Sequence, residues 1–312
     1  MKWRPETERE AREMPDASPA KRVKVMEALR LAEGYLSRHG VESPRLSAEH
    51  LLARRMGCSR LDLYLRFDHE LVEEVLAPYR EDLKMRSTRY PLQYILGEIE
   101  FMSLPFRVRE GVFIPRPETE LLVEWIEEIT GNASALSFVE FGVGSGVISG
   151  SLCRRHPGWK GVGVDVSASA VALAKENFEA LGVSSRMEAF VADGLGVLAA
   201  EGAFDLLVSN PPYVPTAAIR SLDAEVSRYE ARAALDGGAD GAGFFPVLAA
   251  EARRLLGPGG ILAFEIGHGQ GDAALEICAR AGLERASMRR DFNRLERIVT
   301  AFVPKARDGC DG

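Results

Sequence analysis

From residue 136 onward, short apolar runs alternate with segments in which apolar residues recur every three or four positions. The strand-like runs cover residues 137–141, 161–166, 186–191 and 204–209. Strands that are joined by helices pair in parallel, and a parallel sheet carries helices on its faces. The alternation therefore predicts an α/β fold with a mostly parallel sheet. A late helix followed by two strands, within 272–302, fits either a reversed final hairpin or a plain doubly wound sheet.

The first part of the chain has a different pattern of apolar residues. Apolar residues there recur at helical spacing, and Gly40 and Gly57 are suited to end two of the helices. No alternation of strands and helices interrupts this pattern, so we expect a small helical bundle. The expected organisation is a disordered segment at 1–18, a helical bundle at 19–90, a β-hairpin linker at 91–112, an α/β domain at 113–304 and a tail at 305–312.

Charge and composition narrow the range of partners. The 312 residues carry a net charge of −7, which does not favour broad attraction to nucleic acid or to an anionic membrane. No apolar stretch approaches the length of a membrane span. Four scattered cysteines without ligand spacing are typical of reduced thiols. We expect a cytoplasmic monomer that has no metal site and does not act on nucleic acid or membranes directly.

A glycine-rich turn, Glu140-Phe141-Gly142-Val143-Gly144-Ser145-Gly146, follows the first predicted strand. Glycines at such a turn let the backbone bend sharply and approach a ligand closely. The spacing is G-x-G-x-G with valine at position 147, so the dinucleotide fingerprint G-x-G-x-x-G is not met. The acidic Glu140 ahead of the glycines favours a cationic or amine-bearing ligand over an anionic one.

Acidic residues follow the next two predicted strands. Asp165 can accept hydrogen bonds from both hydroxyls of a ribose, although it also fits the N-cap of the next helix. Asp193 is suited to accept from an adenine amino group. Because the carboxyl ends of parallel strands meet at one edge of a sheet, the turn and the two acids should lie together. Together they describe a site for S-adenosylmethionine (SAM).

The tetrapeptide Asn210-Pro211-Pro212-Tyr213 ends another apolar strand. Two prolines with fixed φ and no N–H make this loop stiff and stop the strand ladder. The Asn210 side-chain oxygen and the Pro211 carbonyl can both accept hydrogen bonds from a flat –NH2 group, against which Tyr213 can pack. Methyl transfer to such a nitrogen is an in-line displacement that depends on positioning. The loop therefore predicts a clamp for an amide or an exocyclic amine.

Further stretches resemble the HemK-type protein-(glutamine-N5) methyltransferases, which modify peptide chain release factors. The stretches are Tyr94-Ile95-Leu96-Gly97, Phe113-Ile114-Pro115-Arg116-Pro117-Glu118-Thr119-Glu120, Leu235-Asp236-Gly237-Gly238-Ala239-Asp240-Gly241 and Glu265-Ile266-Gly267-His268-Gly269-Gln270. The resemblance extends from about Tyr90 to Phe302. Two positions depart from the family pattern, with Ala231 where proline is usual and Arg294 where glycine is common.

The resemblance implies a class I SAM-dependent methyltransferase, Rossmann-like, preceded by an all-helical domain that grips the release factor. It also implies that the acceptor is the glutamine of the Gly-Gly-Gln motif in class I release factors, and that S-adenosyl-L-homocysteine is the product. SAM would contact Gly142 to Gly146, Asp165, Asp193, Gly194 and Asn210. Arg116, Pro117 and Thr119, just before the first methyltransferase helix, would close over it. A salt-bridge role suits Arg116 equally well.

Two other functions stay open at this stage. An adenine-N6 nucleic-acid methyltransferase uses the same Asn-Pro-Pro-Tyr loop, but the acidic net charge and the helical front domain argue against it. A regulatory protein that binds SAM without catalysis is the second alternative, and an intact Asn210 argues against it weakly.

Overall fold

The computed structural model of the chain describes residues 23–131, 133–199 and 201–305. The expected disordered segment 1–18 lies outside these residues, as do residues 306–312 of the expected tail. The chain divides into two compact units, Met1–Thr88 and Arg89–Gly312. Among the described residues, no helix is both long enough and apolar enough to span a membrane.

The first unit is helical, as the sequence predicts. In chain order its elements are β1 (Val23–Lys24), α1 (Val25–Arg38), α2 (Pro44–Met56), α3 (Arg60–Leu65), β2 (Glu70–Leu71) and α4 (Glu73–Ser87). Its core is formed by leucines such as Leu29, Leu51 and Leu63, which have no exposed surface. The sequence pattern did not predict α3, whose six residues are too few to show periodicity. A capping box between Ser59 and Asp62 starts this helix.

The second unit alternates strands and helices. Its elements are α5 (Leu92–Leu96), β3 (Glu98–Phe101), β4 (Leu104–Arg107), α6 (Glu120–Thr130), β5 (Leu136–Phe141), α7 (Val147–Arg155), β6 (Trp159–Asp165), α8 (Ala168–Ala180), β7 (Met187–Val191), β8 (Phe204–Ser209), α9 (Ala224–Tyr229), α10 (Phe245–Leu255), β9 (Leu256–Glu265), α11 (Gly271–Arg280), β10 (Glu284–Arg290) and β11 (Glu296–Phe302).

The seven strands of the main sheet lie in the order β10-β11-β9-β8-β5-β6-β7. The pairs among β5 to β9 are parallel, whereas β11 is antiparallel to both of its neighbours, β9 and β10. The last strand therefore inserts beside β9, and the reversed final hairpin is the correct one of the two arrangements that the sequence left open.

Strand β5 lies inside this sheet, between β8 and β6, and at its topological switch point, because the chain runs to β6 on one side and later to β8 on the other. Phe138 and Val139 face opposite sides, and each is fully buried in its own core cluster. Burial on both faces explains why these strands read as unbroken apolar runs. Ligands bind at the carboxyl ends of the strands beside such a switch point.

The hairpin of β3 and β4 packs into the second unit. Its two turn residues, Met102 and Ser103, both have positive φ (51° and 59°), as a tight two-residue hairpin turn requires. Phe101 and Phe106 are buried in the same core cluster as α7. A Cβ at Gly150 of α7 would lie 2.9 Å from the Phe106 ring, so glycine there permits the close packing. The expected linker thus contributes core residues to the α/β unit.

Candidate active site

A cavity of about 680 Å³ opens at the carboxyl edge of β5, β6, β7 and β8. Its size lies within the range usual for small-molecule sites. All the site residues that the sequence predicts line this cavity, except Gly146 and Pro117. Side chains and backbone from four strand ends, and from the segment before α6, are therefore brought together. The arrangement can hold a ligand of cofactor size beside the Asn-Pro-Pro-Tyr loop.

The glycine-rich turn and Asp165 are joined directly. Gly142 and Gly144 have φ of 73° and 53°, values that favour glycine. The Gly144 N–H donates to Asp165 Oδ2 at 2.9 Å, and the Ser167 N–H donates to Asp165 Oδ1 at 2.9 Å. The N-cap of α8 is Ser167, whose hydroxyl accepts from the Ala170 N–H. Asp165 is therefore not the N-cap; its carboxylate ties the turn to the start of α8.

Two predicted cofactor residues lie off the cavity wall. Gly146 precedes α7, and a Cβ on it would lie 2.7 Å from the Phe178 ring. Its glycine is therefore needed for the packing of α7 against α8. Pro117 begins a short 3₁₀ turn that leads into α6. Proline suits that first position because its missing N–H would have no helical partner there.

Glu140 lines the cavity, but its carboxyl group is turned toward α7. Its Oε2 accepts from the Ser149 N–H at 3.1 Å and from the Ser149 hydroxyl. Ser149 lies in the first turn of α7, so Glu140 satisfies an N–H that has no partner within the helix. Burial raises the pKa of this carboxyl to about 8, and the nearby Asp165 adds to the rise.

We expect Glu140 to make the free energy of unfolding depend on pH. The ordinary pKa of 4.5 rises to about 8 in the folded state, so the folded protein binds this proton more tightly. Stability is therefore lost as the pH rises from about 4.5 to about 8. When the pH is raised from 5 to 8, the free energy of unfolding of Glu140→Gln should increase by at least about 1 kcal/mol relative to that of the native protein. Denaturant titrations at both pH values measure this gain.

The exposed Glu188 on β7 offers a matched control. Glu188→Gln should leave the difference in stability between the two pH values unchanged, because this side chain is exposed to water in the folded protein as it is in the unfolded chain. An equal pH response in Glu140→Gln and the native protein would show that Glu140 does not titrate between pH 5 and pH 8.

A chain of hydrogen bonds holds the Asn-Pro-Pro-Tyr loop. Asn210 Nδ2 donates to Thr119 Oγ1 at 3.0 Å, and Thr119 Oγ1 donates to Glu265 Oε2 at 2.7 Å. The Tyr213 hydroxyl donates to Glu265 Oε1 at 3.0 Å. Thr119 and Glu265 are each about 1% exposed. Burial raises the pKa of both Glu265 and Tyr213. The two ends of the loop are thus anchored to one buried carboxyl group.

The stretch 235–241 supports the same loop from the side. The Val214 N–H donates to the Leu235 carbonyl at 2.9 Å, and the Gly237 N–H donates to the Val214 carbonyl at 2.9 Å. A Cβ on Gly237 would lie 2.7 Å from the Pro212 carbonyl oxygen, so the close approach requires glycine. Gln270 Nε2 donates to the Tyr213 carbonyl at 3.0 Å. The backbone after Asn210 is therefore fixed along its length.

Arg116 forms a salt bridge with Glu230, at 2.5 Å between Nη2 and Oε1. Its Nη1 also donates to the Ile114 carbonyl, while the Ile114 N–H donates to Glu230 Oε2. Burial raises the pKa of Glu230, and Arg116 opposes that rise. Of the two roles considered for Arg116, the salt bridge is present. It joins the segment before α6 to the loop after α9, and the Arg116 side chain still lines the cavity.

The two departures from the family pattern fit the local backbone differently. Ala231 has φ −63°, a value that proline also adopts, so the path of the chain does not depend on proline there. Arg294 has φ 63°, in the left-handed region where glycine is favoured.

The sequence assigned no role to Glu265 and Glu230, the buried carboxyl groups that hold the segments around this cavity. Glu265 lies in the recognised stretch 265–270, and its position at the end of β9, next to β8, was the available signal. Its partner Thr119 is 146 residues away in sequence. No local pattern indicates that pairing, or the one between Glu230 and Arg116.

Comparisons with known proteins show the family to which the chain is similar. Residues 27–97 match the family described as PrmC N-terminal domain, and residues 105–239 match the family described as Methyltransferase small domain. The release factor glutamine methyltransferase of Geobacter sulfurreducens is 41% identical over 276 residues, which are 88% of this chain and 95% of that protein. The enzyme of the same name from Chlorobaculum tepidum is 38% identical, over 89% of this chain and 97% of its own. A solved methyltransferase structure from Pyrococcus furiosus overlaps 65% of this chain and 90% of its own, with a TM-score of 0.48 and 16% identity.

Proposed function

Because the chain belongs to the release factor glutamine methyltransferase family, we propose that it methylates the side-chain nitrogen (N5) of the glutamine in the Gly-Gly-Gln motif of class I peptide chain release factors. Methyl transfer to a release factor glutamine follows from the family. The Gly-Gly-Gln context, the methyl donor and the roles of individual residues are proposed. The main observation in support of these proposals is that the Asn210 carboxamide, held by its hydrogen bond to Thr119, lies on the wall of a cofactor-sized cavity.

The residues around the cavity fit SAM as the methyl donor. Ser145 lines the cavity, and its buried hydroxyl has no hydrogen-bond partner in the described part of the chain, which suits a ligand contact. Asp165 and Asp193 lie at neighbouring strand ends, where carboxylates can accept from ribose hydroxyls and an amino group. The turn Gly142–Gly146 brings backbone close to the same space. When bound, SAM supplies an electrophilic methyl group on a positively charged sulfur.

Asn210 and Pro211 are proposed to hold the acceptor nitrogen. The lone pair of an amide nitrogen is delocalised, which makes the nitrogen a weak nucleophile. The reaction rate therefore depends on how the lone pair is oriented and on how well the positive charge that develops on the nitrogen is stabilised. Hydrogen bonds from the substrate –NH2 to Asn210 Oδ1 and the Pro211 carbonyl fix the amide plane and favour that developing positive charge. Tyr213 offers a ring face beside the planar group, and Pro212 keeps the backbone stiff. These residues position the acceptor and are not proposed as a base: the nitrogen gains the methyl group and loses one of its two protons, which passes to water.

We propose that the helical unit contacts the release factor at a distance from the reacting glutamine. Around α3 it exposes large apolar side chains that a bundle of its size does not need for its own core. Leu61 and Leu65 are 70% and 73% exposed, and Phe67 is 57% exposed. Exposed apolar groups close together are typical of protein-binding surfaces. The chain supplies every group that the proposal uses, so we propose that it acts as a monomer, in the cytoplasm where release factors work.

Labelled methyl transfer tests the proposed function. The full chain is incubated with SAM carrying a labelled methyl group and offered an unmodified class I release factor. The matched control substrate is the same factor with alanine in place of the motif glutamine, and further reactions contain DNA or RNA. We expect label on the native factor and background label on the alanine factor, because the labelled nitrogen is absent from alanine.

Three results would contradict the proposal: label on nucleic acid alone, equal label on both release factors, or no label on any acceptor. The first is the outcome expected of an adenine methyltransferase. The last, together with measurable SAM binding, is the outcome expected of a binding protein without catalysis.

A further inference from the structure

The buried groups behind Asn210 determine which way its carboxamide faces. A carboxamide has an oxygen end that accepts hydrogen bonds and an NH2 end that donates them, and the two ends have nearly the same shape. A substrate –NH2 group can be held by the oxygen end and is repelled by the other. The Asn210 orientation is therefore decisive for the reaction proposed above.

When Glu265 is ionised, the orientation follows from hydrogen-bond counting along the chain Glu265–Thr119–Asn210. Glu265 Oε2 receives the single hydroxyl hydrogen of Thr119, and Oε1 receives that of Tyr213. The Thr119 oxygen then offers lone pairs alone to Asn210, and its partner must be the NH2 end, which lies at 3.0 Å. In the described part of the chain, Asn210 Oδ1 accepts no hydrogen bond. That leaves Oδ1 for the substrate.

We propose that Thr119, with its hydroxyl hydrogen committed to Glu265, is a positioning residue that keeps Asn210 Oδ1 directed toward the acceptor nitrogen. The inference rests on the proposed function, in which Asn210 holds the substrate amide. It gives the Thr119 hydroxyl a different task from the cofactor contact implied by the family resemblance. It also gives a role to the carboxyl at the end of β9.

The groups around Glu265 bear on its charge state. Burial and the nearby Glu118 raise its pKa, while Arg297 and the hydrogen bonds from Thr119 and Tyr213 lower it. An ionised Glu265 can only accept, which is the state that enforces the orientation described. A protonated Glu265 can donate to Thr119, whose hydrogen is then free for Asn210 Oδ1.

The matched variants Thr119→Val and Thr119→Ser test the proposal. Valine keeps the branched shape but lacks the hydroxyl, whereas serine keeps the hydroxyl. In Thr119→Val we expect kcat to fall about 10- to 100-fold, somewhat less than the loss typical of removing a preorganised hydrogen-bonding group in contact with the reacting atoms. The SAM dissociation constant and the KM for the release factor should stay within about threefold, because binding contacts are retained. Thr119→Ser should restore most of kcat.

The outcomes separate this inference from the proposed function. If the native enzyme labels no release factor, the proposed function fails. If the native enzyme is active and Thr119→Val has an unchanged kcat, the proposed function stands and the positioning role is wrong. If Thr119→Val is slow at low SAM concentration and regains the native rate at saturating SAM, the hydroxyl serves cofactor binding and the inference is overturned. Should Thr119→Val not fold by circular dichroism, Thr119→Ala replaces it in the same comparison.

Discussion

Asn210→Ala is expected to lower kcat for release factor methylation by at least about 100-fold, because it removes one of the two acceptors proposed to hold the substrate amide. With the Pro211 carbonyl alone, the –NH2 group can rotate away from the line of displacement, and the charge developing on nitrogen loses one of its two proposed acceptors. The SAM dissociation constant should rise by no more than about fivefold, because Asn210 is one of many residues on the cavity wall. Single-turnover kinetics and calorimetry measure the two quantities separately.

Asn293→Ala is the matched control for this variant. Asn293 is exposed on the turn between β10 and β11 and does not line the cavity. Its replacement should leave both the rate and SAM binding unchanged. Undiminished turnover in Asn210→Ala would remove the side chain from the mechanism. A loss of SAM binding that fully explains the lost rate would make Asn210 a cofactor residue instead of an acceptor clamp.

The fold class and the family inferred from the sequence are confirmed, and the elements show why. Strand β8 has the predicted bounds, Phe204–Ser209, and helix α7 (Val147–Arg155) begins directly after the glycine-rich turn. Both are marked by local signals: a buried parallel strand is an unbroken apolar run, and a glycine-rich turn precedes the helix. Helices α3, α5 and α9 have five or six residues each and were not predicted. Fewer than two turns give too few positions for a helical period to appear.

The candidate site was predictable where it depends on strand ends and not where it depends on packing. Gly142, Asp165, Asp193 and Asn210 each follow a recognisable strand, and the rule that parallel strands share a carboxyl edge brings them together. Gly146 looks like part of the same turn in sequence, yet its missing Cβ serves the Phe178 ring. The hydrogen bond from Thr119 to Glu265 spans 146 residues and arises because α6, which Thr119 precedes, packs against β9. Such a contact leaves no trace in local sequence.

Asp165→Ala is expected to act on cofactor affinity, in contrast to Asn210→Ala. The carboxylate already binds the Gly144 and Ser167 N–H groups, so it keeps the glycine turn in shape as well as offering acceptors to a ribose. Hydrogen bonds to a charged group contribute about 1.5–3 kcal/mol each, and the variant loses those to the ribose together with the support of the turn. The SAM dissociation constant measured by calorimetry should therefore rise about 30-fold or more.

The rate at saturating SAM distinguishes this effect from a role in the chemistry. In Asp165→Ala, kcat should stay within about threefold of the native value, because the groups proposed to hold the acceptor are anchored to Thr119 and Glu265 and not to Asp165. Asp272→Ala, at an exposed position in the first turn of α11, is the control and should bind SAM normally. An Asp165→Ala enzyme with native affinity would mean that neither the acceptors of this carboxylate nor its support of the turn contributes to SAM binding. One with native affinity and low kcat would instead couple Asp165 to the reacting atoms, and the division between a cofactor side and an acceptor side of the cavity would be wrong.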